Sequence, residues 1–184
     1  MKIVEKTRTY TAYAERVFSC LDDLGVTGMH MTKSSMPMMG GKMDFQFLTE
    51  KHTGAGTRYR WTGKVLWMTL DFTVTVTKWV MGVEKSWQTE KNARMIIMSW
   101  FRMDLKVEQY GQHAMVKLSI AYERPEGIFN RLLSVLLADW YCKWCVENML
   151  QDTEERLKGA RNDDSDEIEE MSLKESTNEQ PNYN

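Results

Sequence analysis

The sequence is short of cysteine and proline and has no long apolar run. Its 184 residues include three cysteines and three prolines. Three cysteines cannot build a disulfide framework, and reduced thiols are typical of the cytoplasm. No apolar run reaches the ~18 residues of a membrane-spanning helix, and the charged, alternating N-terminus is unlike a signal peptide. We therefore expect a cytoplasmic protein without a transmembrane segment.

Most of the chain has no large excess of either positive or negative charge. Residues 159–184 hold eight acids and two bases, which leaves 18 of the 26 acids and 22 of the 24 bases for residues 1–158. These bases are dispersed, so we expect no nucleic-acid partner. The acidic C-terminal segment has too few apolar residues to offset its ordering entropy. The sequence thus predicts one domain over 1–158 and a disordered acidic tail over 159–184.

What the chain does have is a long stretch with apolar residues at every second position. In 69–77, for example, Phe72, Val74 and Val76 alternate with threonines. This period indicates half-buried strands with one face toward water. Consecutive strands joined by short turns predict an antiparallel sheet of about seven strands, at 2–10, 42–50, 57–65, 69–77, 83–90, 101–107 and 114–123.

Helical spacing is found on both sides of this stretch. Thr11 stands where an N-cap belongs, and Ala14, Val17, Phe18 and Leu21 follow at helical intervals. A second short helix is expected near 22–30. Residues 126–158 predict a long helix of roughly 50 Å. Such a helix covers its apolar stripe best by lying across the sheet, so we predict an α+β fold.

Three segments carry a resemblance to a known family: Ala14-Glu15-Arg16-Val17-Phe18 after the first strand, residues 56–63 (GTRYRWTG) and residues 122–127 (YERPEG). With the order of elements, they resemble the helix-grip fold of the START-like (SRPBCC) superfamily, which includes polyketide cyclase/dehydrase-like and lipid-transfer-like proteins. The resemblance implies an apolar ligand held between the long helix and a curved sheet. It implies no shared catalytic residues.

The function that we predict is binding or transport of a hydrophobic or amphipathic small molecule, such as a lipid, between helix and sheet. A helix that grips a curved sheet tends to leave a space lined by apolar side chains. The residues expected to line it are Tyr59, Trp61, Phe72, Trp87, Phe101, Met103, Leu118, Ile120, Val135 and Asp139. No cofactor and no metal ion is expected.

Asp139 is the weak candidate for chemistry, because it falls near the centre of the apolar face of the long helix. A carboxyl group there should have a raised pKa unless it is paired, and Lys143 follows one turn later. It could contact a polar group of the ligand or form a structural pair. It could also act as the acid/base of a cyclase/dehydratase-like enzyme on a polyketide-like or aromatic substrate.

A second apolar stripe, Leu133, Leu137, Trp140 and Trp144, is offset from the first. It could pack on the short N-terminal helices or on a second subunit, so a homodimeric interaction protein remains a third hypothesis.

Cys142 and Cys145 form a CxxC motif in the middle of this helix. Reactive thiolates favour helix N-termini, and a structural zinc site needs four ligands. We expect two ordinary helix cysteines.

Overall fold

The structure is a computed structural model that describes residues 1–28, 42–65, 68–91 and 93–178. Within these ranges it confirms the predicted α+β architecture, with two short helices after the first strand and a long helix after the last. The elements are β1 (Lys2–Tyr10), α1 (Ala14–Asp22), α2 (Leu24–Thr27), β2 (Lys42–Phe47), β3 (Arg58–Val65), β4 (Met68–Val80), β5 (Glu84–Thr89), β6 (Trp100–Tyr110), β7 (His113–Glu123) and α3 (Ile128–Asn178).

The seven strands form one curved antiparallel sheet in the order β1-β7-β6-β5-β4-β3-β2. Strands that follow one another from β2 to β7 are neighbours, as short turns require. The exception is β1, which pairs with β7 over its whole length, from Lys2 opposite Tyr122 to Tyr10 opposite Ala114. The alternation seen in the sequence sets the inner face, because every second residue of β7 from Ala114 to Tyr122 is buried.

The short helices lie on the inner face of the sheet. In α1, Val17, Phe18 and Leu21 are buried, as their spacing predicts. The predicted cap is wrong: α1 is preceded by Tyr13, which makes no side-chain capping bond. The chain bends at Thr11 and Ala12 and is extended at Tyr13, so the helix begins later than the threonine suggests. Asp23 ends α1 and caps α2, its Oδ1 accepting from the Gly25 amide at 2.7 Å.

The long helix α3 packs against β1, β7 and both short helices. Among the described side chains, Leu157 is the last one to contact the core cluster. The helix continues to Asn178, into the segment predicted to be a disordered tail. No proline interrupts residues 159–178, so nothing in the backbone forces the helix to end at 158. No helix in the described part of the chain is both long and apolar enough to cross a membrane.

Candidate functional site

Large side chains, many of them aromatic, cover the inner face of the sheet. Strand register brings them together, because Trp61 is opposite Phe72 on β3 and β4, and Trp87 is opposite Met103 on β5 and β6. Phe101 is partly buried and meets Phe72 edge to face, with ring centroids 5.9 Å apart. Seven of the predicted lining residues belong to the buried core cluster: Tyr59, Trp61, Phe72, Trp87, Met103, Leu118 and Ile120.

Two further aromatic residues, from β2, extend this surface. The ring centroid of Phe45 lies 5.1 Å from that of Trp61, and the ring centroid of Phe47 lies 6.2 Å from that of Tyr59. The imidazole of His52 stacks on Phe47 at 3.9 Å. Sequence reasoning did not select these residues. Their alternate positions in β2 are the signal that could have identified them, since strand pairing then places both on the inner face.

One side of α3 is buried in the middle of the helix and exposed near its N-terminus. At 100° per residue, Ile128, Val135, Cys142 and Val146 all lie within ~40° of one another around the helix. Cys142 and Val146 are 0% exposed, whereas Val135 is 48% and Ile128 92% exposed. Contact between this side of α3 and the rest of the protein is therefore lost toward the N-terminus of the helix. Ser134, about 100° around the helix from Val135, is 1% exposed, so a neighbouring side of the same turns stays in contact with the protein. We call the exposed side of residues 128–136, with the space that it faces, the wedge.

Val135, a predicted lining residue, thus lies at the exposed end of the helix and not in the buried cluster. Its helical spacing predicts one continuous face with Cys142 and Val146. The three residues do share one side of the helix. Val135 is nevertheless exposed while the other two are buried, because helical periodicity carries no information about where along its length a helix meets the sheet.

Asp139 lies beside β1. The Tyr122 hydroxyl donates a 2.5 Å hydrogen bond to its Oδ1, and Lys2 Nζ forms a 2.6 Å ion pair with its Oδ2. The partner is Lys2, 137 residues away in sequence, rather than the expected Lys143. The bond from Lys2, and then the one from Tyr122, hold the pKa of Asp139 below its ordinary value. The carboxyl group is therefore ionised at neutral pH, and the raised pKa expected of an unpaired carboxyl group does not arise.

Further ion pairs join β1 to α3. Lys6 contacts Glu147, and Arg8 lies 2.5 Å from Glu147 and 3.2 Å from Glu154. Four strand residues rise about 13 Å and eight helix residues about 12 Å, so charges at these intervals stay matched along both elements. This row holds α3 along the edge strand. Sequence reasoning missed it because the two elements stand at opposite ends of the chain.

A buried ion pair connects the end of α1 to β5. Lys85 Nζ lies 2.6 Å from Asp22 Oδ1, and the indole N–H of Trp79 donates to Asp22 Oδ2 at 3.0 Å. Lys85 also stands over the ring of Trp87, 5.0 Å from its centroid. Burial lowers the pKa of Lys85, against the opposing effect of Asp22. These contacts anchor α1 to the inner face beside the aromatic residues.

Both cysteines of the CxxC motif are buried, and Cys142 belongs to the core cluster. Burial raises the pKa of Cys142, and it raises the pKa of Cys145 to about 12. Neither thiol is ionised at neutral pH, which is the opposite of what a reactive or metal-binding cysteine requires. Within the described ranges, no group of three or more His, Cys, Asp or Glu side chains is placed to hold a metal ion.

Solved structures with similar folds provide the comparison. TTHA0849 from Thermus thermophilus superposes with a TM-score of 0.65 at 20% identity, over 86% of this chain and 99% of that one. The Zhui aromatase/cyclase from Streptomyces does so with a TM-score of 0.61 at 13% identity, over 86% and 97%. Norcoclaurine synthase from Thalictrum flavum, in complex with dopamine and hydroxybenzaldehyde, gives 0.60 at 10% identity, over 86% and 87%.

No protein-family model matches the sequence, and no curated protein matches it. At identities this low the structural likeness establishes a shared fold and leaves activity open.

Proposed function

Because the chain has the helix-grip fold of the START-like (SRPBCC) superfamily, we propose that it binds or transports a hydrophobic or amphipathic small molecule. The ligand would lie in the wedge, with its apolar part against the inner face of the sheet. The buried aromatic residues of the sheet (Tyr59, Trp61, Phe72 and Trp87) and the partly buried Phe101 form one wall of this site. Val135 contributes to the other wall. We propose the cytoplasm as the place of action.

The observation that carries this proposal is the change in exposure along one side of α3. Val146 is completely buried there, whereas Val135 and Ile128 present apolar surface to water. Each Å² of apolar surface taken out of water contributes ~25 cal/mol. An apolar ligand seated under the first turns of α3 would therefore gain from the same burial that Val146 obtains from the sheet.

The structural neighbours support the proposal at the level of chemistry. One is named as an aromatase/cyclase, and another holds dopamine and hydroxybenzaldehyde, which are small aromatic molecules. An inner face rich in aromatic side chains suits such ligands, since aromatic rings prefer offset or edge-to-face contact with one another.

The test is titration of the purified protein with an apolar fluorophore, together with native mass spectrometry for a co-purified ligand. Val135→Glu should weaken fluorophore binding at least tenfold, because it places a charge in the wedge. Val83→Glu is the matched control, being the same change at a half-exposed valine in the β4–β5 turn. Equal binding by both variants and the wild type would contradict the proposal.

The cyclase/dehydratase-like alternative gains little from Asp139. An ionised carboxylate that already accepts from Lys2 and Tyr122 is a poor proton donor at neutral pH. Asp139 is thus proposed as part of the polar rim of the wedge.

The homodimer is supported by one observation, the exposure of Leu136 (66%) and Trp140 (51%) one turn apart on α3. Of the predicted second stripe, only Trp140 is exposed: Leu133 and Leu137 are partly buried, as is Trp144, which packs on Tyr141 with ring centroids 5.7 Å apart. Sedimentation velocity tests this proposal. A dimer should dissociate in the Trp140→Ser variant, and a wild-type monomer would refute the homodimer.

A further inference from the structure

Arg124 is the residue that links the end of β7 to the wedge. Tyr122, two residues earlier, is buried on the inner face and hydrogen-bonds Asp139. A residue before proline is restricted to extended conformations, and Pro125 follows Arg124. The alternation of β7 therefore continues one step, which places Arg124 on the same side as Tyr122. Its charge lowers the pKa of both Tyr122 and Asp139, as expected of a cation on that side.

The guanidinium of Arg124 has one N–H donor without a hydrogen-bond acceptor. Its Nε is buried and has no hydrogen-bond acceptor among the residues that the structure describes. Leaving a buried donor without an acceptor is costly, more so for a charged group. Such orphaned groups are rare in native proteins and often mark the place of a bound water or ion. The position calls for an acceptor from outside the described chain.

The charges around this donor favour an anion. Three acids lie near Arg124: Asp139, whose two oxygens already accept from Lys2 and Tyr122, and Glu123 and Glu126, whose side chains are exposed to water. Within the contact group of Lys2, Asp139 and Arg124, the charges of Lys2 and Asp139 cancel, and the charge of Arg124 remains. Arg131, exposed on α3 one turn before Val135, adds a second cation on the wedge side of the helix.

We propose that the ligand of the wedge is an amphiphile with a carboxylate head, and that Arg124 binds this head while the apolar body lies against Val135 and the inner face. The inference rests on the proposed function and specifies its ligand class. A guanidinium suits a carboxylate because its N–H groups form a planar fork that matches the two carboxylate oxygens.

The experiment compares dodecanoate with dodecanol at pH 8 by isothermal titration calorimetry. The two ligands share a chain and differ in the head, and dodecanoate is ionised at this pH. The wild type should bind dodecanoate at least tenfold more tightly than dodecanol. Arg124→Gln should abolish that preference and leave dodecanol binding within about twofold of the wild type. These fold-changes follow from charged hydrogen bonds contributing ~1.5–3 kcal/mol, with ~1.4 kcal/mol per factor of ten.

Arg102→Gln is the matched control, because Arg102 bonds to Asp104 on the outer face of the sheet and its replacement changes the net charge equally. It should keep the preference for dodecanoate. Equal binding of both ligands by the wild type overturns the inference. This outcome needs no variant, so the inference can be refuted even if the Arg124→Gln protein does not fold. A preference that survives Arg124→Gln also overturns it. Failure of dodecanol and dodecanoate alike would instead refute the binding function itself.

Discussion

Val135 and Val146 lie on the same side of α3, about three helical turns apart, yet Val135 is half exposed and Val146 is fully buried. The first stands over the wedge, and the second is packed against the protein. The difference separates the ligand-binding role proposed for one end of the helix from the structural role of its middle.

This pair provides a direct stability test. Val146→Ala should lower the free energy of unfolding by about 2 kcal/mol, since it removes buried methyl groups and leaves a cavity. Val135→Ala should change it by less than about 0.5 kcal/mol, as is usual for exposed positions. Urea unfolding of the two variants checks this. Equal losses would mean that the wedge is as tightly packed as the middle of the helix.

The ion pairs between β1 and α3 predict a loss of stability in acid. The bond from Lys6 holds the pKa of Glu147 below its ordinary value of 4.5. A lowered folded-state pKa contributes stability above the unfolded-state value, and this is lost as the pH falls through the folded-state value. Glu147→Gln should therefore cost up to about 1 kcal/mol at pH 7 and nothing once the carboxyl is protonated.

Urea unfolding of the wild type and Glu147→Gln at pH 7 and below pH 4 measures this difference. Glu126→Gln, a change at an exposed glutamate outside the row, is the control and should have little effect at either pH. A constant cost of Glu147→Gln across the pH range would show that these charges do not contribute.

The Lys85–Asp22 pair should be strongly coupled. Lys85→Met leaves the Asp22 carboxylate without its cation in a nearly buried position, and removing one partner of a buried pair typically costs about 3–5 kcal/mol. The double variant Lys85→Met/Asp22→Asn should lose clearly less than the sum of the two single losses. Chemical unfolding of all four proteins gives the coupling energy. Additive losses would refute a direct interaction.

The three free thiols should react in two classes. Burial raises the pKa of all three thiols, but Cys142 and Cys145 are buried whereas Cys20 on α1 is partly exposed and can meet a reagent. Ellman's reagent should thus modify one thiol per native chain at an observable rate and all three after unfolding. Cys20→Ser should remove the native reaction. Rapid labelling of a second thiol in that variant would mean that the interface around α3 opens.

Local patterns were enough to predict the strands, the long helix and most of the aromatic surface. Period-two alternation sets which side of β3 to β7 faces inward, so Trp61, Phe72 and Met103 could be assigned to one face from their positions alone. Helical periodicity likewise grouped Val135 with Val146. The resemblance then implied that the long helix grips a curved sheet.

Contacts between distant segments could not be predicted in this way. The Lys2–Asp139 and Lys85–Asp22 pairs depend on how β1 lies along α3 and how α1 ends over β5. Sequence spacing identifies only neighbours within one element. It therefore predicted Lys143, one turn away on the same helix, as the partner of Asp139.

The sequence by itself determined the α+β class and the two-sided character of the strands, because both follow from short-range periodicity in side-chain polarity. Only the tertiary structure decided which part of the apolar side of α3 is covered, which charges meet across the chain, and that a donor of Arg124 is left unpaired. These depend on sheet curvature and helix placement, which arise from the packing of the whole chain.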